Sequence, residues 1–186
     1  EILRKERVVL NLIQRMSGVA SETNRYVVKA YRKNIKILDT RKTTPGLRIF
    51  EKYAVFCGGG KNHRLNLSKG IMIKDNHIGS NTNIEETLYK KKSNNLPFQV
   101  EVDTLEQLKK CLKHKIDAVL LDNMDPGTIK KCISLIKETN KKVFIEVSGG
   151  ITYKNLNKYL VLGVDAISVG AIIHQATFKN IKLEVS

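Results

Sequence analysis

The sequence has little cysteine, no tryptophan and no long apolar run, and two of these absences exclude whole classes of protein. Its 186 residues include three cysteines, which are far apart and form no Cys-x-x-Cys pair. A disulfide framework and a cysteine-based zinc site are therefore not indicated. No apolar run approaches the roughly 20 residues that a membrane span requires, and nothing resembles a signal peptide. We therefore expect a reduced, cytoplasmic protein without a membrane partner.

Acidic residues are scarce relative to basic ones, so the formal net charge is +15. Such a charge is compatible with nucleic acid, a membrane surface or small anionic ligands. The lysines are scattered and mixed with asparagine, however, which is typical of a solvated surface. Because the basic residues are not interleaved with aromatic ones and no reader motif is present, we expect no nucleic-acid partner. A basic nucleic-acid-binding module remains as the alternative from another class.

Six short apolar runs each end at or near a polar or glycine-containing cluster. They cover residues 35–38, 71–73, 98–102, 118–121, 143–147 and 166–169. Helical patterns lie between them: Thr104 opens a capping box, Asp125 precedes a proline at a first helical position, and Thr152 is expected to cap a third helix. This alternation predicts a parallel sheet covered by helices. Polar groups at all six strand ends favour an incomplete, six-stranded TIM-like α/β barrel over an open doubly wound sheet.

The chain is long enough for one domain but short for a complete eight-stranded barrel. We expect residues 1–186 to form a single catalytic barrel domain, in which residues 1–33 make one or two leading helices. The sequence does not begin with methionine, so we also expect a segment upstream of it.

Five cationic side chains lie at or just after the predicted strand ends. They are Arg41, Lys42, His63, Arg64 and Lys74. Guanidinium groups bind carboxylates through paired hydrogen bonds, and lysine supplies a compact charge. The cluster therefore predicts a pocket for a ligand with two carboxylates or for a diphosphate. The alternative is that some of these cations form ordinary ion pairs with Asp39, Asp75 or Glu51.

Two acidic side chains, Glu101 and Asp122, lie near or at the ends of successive strands. Such a pair could hold Mg²⁺ through oxygen ligands, hydrogen-bond sugar hydroxyls, or act as general acid and base. It could also simply neutralise nearby lysines. The two later strands end in Ser148-Gly149-Gly150 and in Gly170, where exposed backbone N–H groups are suited to a phosphate.

The strings that surround these residues resemble the quinolinate phosphoribosyltransferase family. The most specific of them is Asp-Thr-Arg-Lys-Thr-Thr-Pro-Gly-Leu-Arg at residues 39–48. Further matching strings occupy residues 51–55, 57–64, 73–77, 101–103, 121–123 and 148–151. The resemblance extends over essentially the whole chain. It implies an enzyme, a decarboxylating glycosyltransferase, that transfers a phosphoribosyl group from phosphoribosyl pyrophosphate to quinolinate with Mg²⁺. The products would be nicotinate mononucleotide for NAD biosynthesis, pyrophosphate and carbon dioxide.

The resemblance also implies roles for individual residues. Lys42, Glu101 and Asp122 would be catalytic, with Lys42 facing the pyrophosphate and the two acids holding the ribose hydroxyls and the metal. The substrate-binding residues would be Arg7, Thr40, Arg41, Lys42, His63, Arg64, Lys74, Glu101, Asp122, Ser148, Gly149, Gly150, Gly170 and His174.

Within that set, Arg41, His63, Arg64 and Lys74 would bind the quinolinate carboxylates. Ser148, Gly149, Gly150, Gly170 and His174 would bind the 5′-phosphate. Arg7 would enter the site of a neighbouring subunit, which implies a homodimer or a higher homo-oligomer. The family also has an N-terminal α/β domain that is absent from this chain. A related barrel with another acceptor, such as the protein found beside molybdenum transport genes, remains the second interpretation.

Overall fold

The computed structural model of the protein describes residues 2–64, 71–73, 97–139 and 142–184. Strands and helices alternate along most of the described chain. In chain order they are α1 (Ile2–Tyr31), β1 (Lys36–Leu38), α2 (Arg48–Cys57), β2 (Ile71–Ile73), β3 (Phe98–Val102), α3 (Leu105–Cys111), β4 (Ala118–Asp122), α4 (Pro126–Glu138), β5 (Phe144–Ser148), α5 (Leu156–Tyr159), β6 (Ala166–Ser168) and α6 (Ala171–His174).

The six strands form one parallel sheet in the order β1-β6-β5-β4-β3-β2. This is the cyclic order of a barrel, because the first strand pairs with the last and every other neighbour is consecutive in the chain. The ring is open between β1 and β2, which do not pair within the described residues, although an isolated parallel bridge joins Leu38 to Lys61 beside β1. The predicted incomplete six-stranded α/β barrel is therefore confirmed.

The strands are buried because helices cover the outside of the sheet. Phe98 on β3, Leu121 on β4 and Ile167 on β6 are fully buried. Burying a side chain of this size stabilises the fold by about 2–3 kcal/mol before conformational entropy is counted. On α4 the buried side chains of Ile129, Cys132, Ile133 and Ile136 pack into this core.

Two of the three predicted helix caps are present. The Thr104 hydroxyl accepts a hydrogen bond from the Gln107 N–H at 3.2 Å, and the Gln107 side chain accepts one from the Thr104 N–H at 3.1 Å, which completes the capping box. Asp125 caps α4 as predicted. The cap at Thr152 was wrong: the residue before α5 is Asn155, whose side-chain oxygen accepts a hydrogen bond from the Thr152 N–H at 2.7 Å. The helix therefore begins after Asn155, three residues later than a cap at Thr152 would place it.

The leading segment is one helix, α1, where one or two helices were predicted. Val19, Tyr26 and Ala30 are the buried face of this helix. It packs against α2, β1 and α6 and so closes one side of the barrel. Among the described residues, no helix combines the length and the apolar character needed to cross a membrane.

Candidate active site

A cavity of about 610 Å³ lies at the carboxyl ends of the strands. All but two of the residues that the sequence predicts to bind substrate line it. These are Thr40, Arg41, Lys42, His63, Arg64, Glu101, Asp122, Ser148, Gly149, Gly150, Gly170 and His174. The structure therefore brings the cationic, acidic and glycine clusters into one site, while the role of each residue stays a prediction.

The other two predicted residues have different outcomes. Lys74 lies outside the described residues. Arg7 is exposed on α1 and does not line the cavity. Its predicted entry into the site of a neighbouring subunit is compatible with that exposure but is not tested by it.

The side chain of Asp39 organises the cavity edge next to β1. It is fully buried, and its carboxylate accepts hydrogen bonds from the Lys52 ammonium at 2.6 Å, the Asn62 amide at 2.7 Å and the His63 N–H at 2.8 Å. A buried ion pair with every oxygen engaged is costly to break. Asp39 therefore fixes the 61–64 segment and pairs with Lys52, not with the predicted cationic cluster.

The loop that carries Arg41 and Lys42 is attached to α1 and α2 through Glu51. The fully buried Glu51 carboxylate accepts hydrogen bonds from Thr44 N–H and from the Thr44 hydroxyl, both at 2.8 Å, and pairs with Arg15 of α1 at 2.9 Å. The Arg15 guanidinium also donates to the carbonyls of residues 173 and 176, both at 2.8 Å. One arginine therefore joins the cationic loop to the end of α6.

The Arg64 side chain lines the cavity and has a hydrogen-bond donor that no described residue uses. Its Nε is buried and has no hydrogen-bond partner among the described residues, and one terminal nitrogen contacts the Met72 sulfur at 3.3 Å. Burial and the charge of Arg41 lower the pKa of Arg64, whereas Glu101 and Glu146 oppose this change. An unpartnered buried donor beside another cation is suited to a carboxylate ligand.

Sheet register places the two predicted acids on the inner face of the barrel. Glu101 is paired with Leu120 across β3 and β4, and Asp122 follows two residues later on the same face. Glu101 is 8% exposed. Asp122 accepts hydrogen bonds from the Asn123 amide at 2.6 Å and from the Ser148 hydroxyl, so its carboxylate orientation is set by β5.

The glycine segments follow β5 and β6, next to Asn123 and Thr40. Gly149 and Gly150 have φ of +98° and +57°, conformations that non-glycine residues rarely adopt. At Gly170 an added Cβ would lie 3.2 Å from the His174 imidazole and 3.7 Å from the Thr40 hydroxyl. Thr40, Gly170 and His174 are therefore close together at the start of α6. Because Gly170 has no side chain, a ligand has room next to the backbone there.

The sequence interpretation missed Glu146 as a component of this cavity. Glu146 is paired with Leu120 across β4 and β5, so it lies on the same inner face as Glu101 and Asp122. A signal was available, because Glu146 is two residues before Ser148 and side chains two apart on a strand share a face. Glu146 lies in the middle of β5, whereas the predicted site residues lie at or near strand ends.

Together, the fold and the site define an incomplete α/β-barrel protein with a strand-end cavity lined by cationic, acidic and glycine residues. The family model for the quinolinate phosphoribosyl transferase C-terminal domain matches residues 19–184, and the chain belongs to this family. The resemblance carried by residues 39–48 is therefore confirmed.

Similar proteins carry consistent names. The chain is 43% identical over 188 residues to the probable nicotinate-nucleotide pyrophosphorylase (carboxylating) of Bacillus subtilis, a match that covers 100% of this chain and 64% of that protein. It is 39% identical over 186 residues to the corresponding enzyme of Mycobacterium leprae, covering 99% and 66%. The solved nicotinate-nucleotide pyrophosphorylase of Francisella tularensis superposes with a TM-score of 0.87 at 42% identity, covering 95% of this chain and 63% of that one. The chain thus spans under two thirds of the Bacillus and Francisella proteins.

Proposed function

We propose that the protein transfers the phosphoribosyl group of phosphoribosyl pyrophosphate to the ring nitrogen of quinolinate. The 2-carboxylate leaves as carbon dioxide, and the products are nicotinate mononucleotide and pyrophosphate, so the protein would act in NAD biosynthesis. The observation that carries this proposal is the composition of one strand-end cavity, which combines cations for a diacid, two acids for a sugar and glycine backbone for a phosphate. Family membership and the names of the relatives agree with it.

The acceptor half of the cavity would be formed by Arg41, His63 and Arg64. Charge-assisted hydrogen bonds from guanidinium groups to carboxylates are short and strong, and the unpartnered Arg64 Nε offers one. After the 2-carboxylate leaves, electron density remains at the ring carbon until a proton from water replaces the carboxylate, and the guanidinium groups of Arg41 and Arg64 would stabilise it electrostatically. Lys74 is proposed as a further cation of this half.

The donor half would be formed by the acids and the glycine segments. Gly149, Gly150 and Gly170 would present backbone N–H groups to the 5′-phosphate, next to the Ser148 hydroxyl and His174. Lys42 would face the pyrophosphate, whose departure leaves positive charge on the ribose. Preorganised cations around a departing anion lower the barrier of such a step because they need no reorganisation. We propose direct transfer without a covalent enzyme intermediate, in which the Ser148 hydroxyl serves to hold Asp122 through its hydrogen bond.

Mg²⁺ is the proposed metal. Among the described residues no group of three His, Cys, Asp or Glu side chains forms a metal cluster, but Glu101 and Asp122 supply two carboxylates on one face. Mg²⁺ typically takes one or two carboxylates and completes its shell with water and substrate phosphates, so this donor set fits. When bound, the ion would neutralise the charge that develops on pyrophosphate. The Ser148 and Asn123 hydrogen bonds to Asp122 would hold that carboxylate in place.

We also propose that the protein is cytoplasmic and at least dimeric, with Arg7 completing the site of the partner subunit. Val8, Val9 and Ile13, which belong to the same helix as Arg7, are 64%, 51% and 45% exposed, and Val9 and Ile13 are four residues apart and share a face. Contiguous exposed apolar side chains are typical of an interface. Mixing an Arg7→Ala variant with an Arg64→Ala variant should restore about a quarter of the native activity, because a two-fold heterodimer regains one intact site. Activity no higher than that of either variant alone would exclude a shared site.

Ligand binding tests the proposed function directly. We expect isothermal titration calorimetry to show that quinolinate binds and that nicotinate, which has one carboxylate, binds at least about ten-fold more weakly because a charged pair is lost. Arg64→Ala should abolish quinolinate binding. Lys154→Ala removes an exposed cation that does not line the cavity, so this variant is the control and should leave binding unchanged. Tight quinolinate binding by the Arg64→Ala variant would contradict the site assignment.

A further inference from the structure

Glu146 is a buried carboxylate in the cavity wall that the proposed reaction does not use. It is 2% exposed. The Gln99 amide donates to its Oε2 at 2.7 Å, the Ser168 hydroxyl donates to its Oε1, and the Nε2 of His63 lies 3.4 Å from Oε2. Side chains from β3, β6 and the 61–64 segment therefore converge on one residue of β5.

The imidazole of His63 connects Glu146 to Arg64. Its Nδ1 accepts a hydrogen bond from the Arg64 N–H at 2.9 Å, while its Nε2 faces Glu146. Both ring nitrogens are thus turned toward groups of the protein. His63 in this arrangement is a spacer between β5 and the backbone of Arg64, whose Nε has no partner in the part of the chain that the structure describes.

Glu146 also supplies charge to this half of the cavity. Burial raises the pKa of Glu146, but the hydrogen bonds that it accepts from His63, Ser168 and Gln99 outweigh burial and leave the pKa lowered. The side chain is therefore ionised at neutral pH. Its charge acts on Arg64 as well, in the same sense as that of Glu101.

We propose that Glu146 is a positioning residue of the acceptor half. It fixes the His63 ring and, through that ring, the backbone of Arg64, so that the Arg64 guanidinium faces one acceptor carboxylate. This inference rests on the proposed function. Glu146 does not touch the acceptor in this account, because its own oxygens are already occupied by Gln99, Ser168 and His63.

A double-mutant cycle in the full chain tests the inference. Quinolinate affinity and the KM values for both substrates are measured for Glu146→Gln, His63→Ala and the double variant. We expect Glu146→Gln to weaken quinolinate binding about ten-fold, which corresponds to about 1.4 kcal/mol, and to change the KM for phosphoribosyl pyrophosphate less than about two-fold. Because Glu146 acts mainly through His63 and only secondarily through its charge on Arg64, the loss in the double variant should be much smaller than the sum of the two single losses.

Two controls separate positioning from a general loss of structure. Glu106→Gln removes an exposed carboxylate that pairs with Lys109 at 2.7 Å and should leave all parameters unchanged. Ser168→Ala removes one hydrogen bond to Glu146 and keeps its charge, and we expect about a three-fold loss of quinolinate affinity. That variant provides the test if Glu146→Gln does not fold.

The outcomes are distinguishable. If Glu146→Gln binds quinolinate as tightly as the native chain does, the inference is overturned and the proposed function is not affected. If Glu146→Gln does not fold, the same result with Ser168→Ala overturns the inference. Additive losses in the double variant, or equal increases in the KM of both substrates, would also overturn it. A native chain that does not bind quinolinate would overturn the proposed function and this inference with it.

Discussion

Gly149 and Gly150 are adjacent glycines with positive φ, and the structure predicts that replacing each by alanine has a different cost. A Cβ on Gly149 would lie 2.2 Å from the Asn123 side-chain oxygen and 2.6 Å from its backbone nitrogen. A Cβ on Gly150 would meet nothing within 4 Å. The two variants therefore share backbone strain but differ in steric overlap.

Moving Asn123 away from a Cβ on Gly149 would break the hydrogen bonds that hold Asn123 in place. Its backbone N–H donates to the Ser148 carbonyl at 3.0 Å, its side chain donates to Asp122 at 2.6 Å, and its own φ is +51°. Left-handed strain alone costs about 1–2 kcal/mol, which is the expected destabilisation for Gly150→Ala. Overpacking adds about 1–3 kcal/mol, so Gly149→Ala should lose about 2–5 kcal/mol.

Urea denaturation followed by circular dichroism measures the difference. With a denaturant slope of about 2 kcal/mol per molar, an excess loss of about 2 kcal/mol places the Gly149→Ala midpoint roughly 1 M below that of Gly150→Ala. Equal midpoints for the two variants would refute the packing argument, since both carry positive φ and only one has a close neighbour.

Three further predictions concern other parts of the chain. Asp39→Asn should destabilise the fold by about 3 kcal/mol in the same assay, because it leaves the buried Lys52 ammonium without its charged partner; a loss below about 1 kcal/mol would contradict the assigned role. Hydrogen bonds from the side chain and backbone of Thr128 lower the pKa of Asp125 below its ordinary 3.8. The stability that the ionised cap provides is therefore present above that pH and is lost as pH falls through the lower folded-state pKa, so the deficit of Asp125→Ala should shrink in strong acid; a deficit independent of pH would contradict this. Burial raises the pKa of the Cys111 and Cys132 thiols to about 11, so Ellman's reagent at pH 8 should rapidly modify only the exposed Cys57. Rapid modification of all three thiols in the native protein would contradict the burial of Cys111 and Cys132.

Features that depend on neighbouring residues in the chain could be predicted from the sequence. The capping box at Thr104 and the cap at Asp125 are formed by residues within three positions of each other. Cavity residues such as Arg41 and Asp122 were identified because parallel strands deliver their carboxyl ends to one rim. The strands agree with the apolar runs to within a residue at either end.

Features that depend on distant residues could not be predicted in this way. The Arg15–Glu51 pair joins residues 36 apart, and each member taken alone is an ordinary charged residue of an amphipathic helix. Gln99 and Glu146 are 47 residues apart, and their contact requires β3 and β5 to face the same barrel interior. The lack of pairing between β1 and β2 in the described residues could not be predicted either, because pairing depends on how the edges of two strands approach each other in the folded sheet.

The measurement that tests the central claim most directly is product formation by the 186-residue chain with phosphoribosyl pyrophosphate and Mg²⁺. Quinolinate labelled at the 2-carboxylate and nicotinate are compared as acceptors, and released pyrophosphate and labelled carbon dioxide are measured together. The account predicts equal amounts of both products with quinolinate and neither with nicotinate, because the cationic half of the cavity is suited to two carboxylates. Pyrophosphate release with nicotinate, or no release with either acceptor, would contradict it.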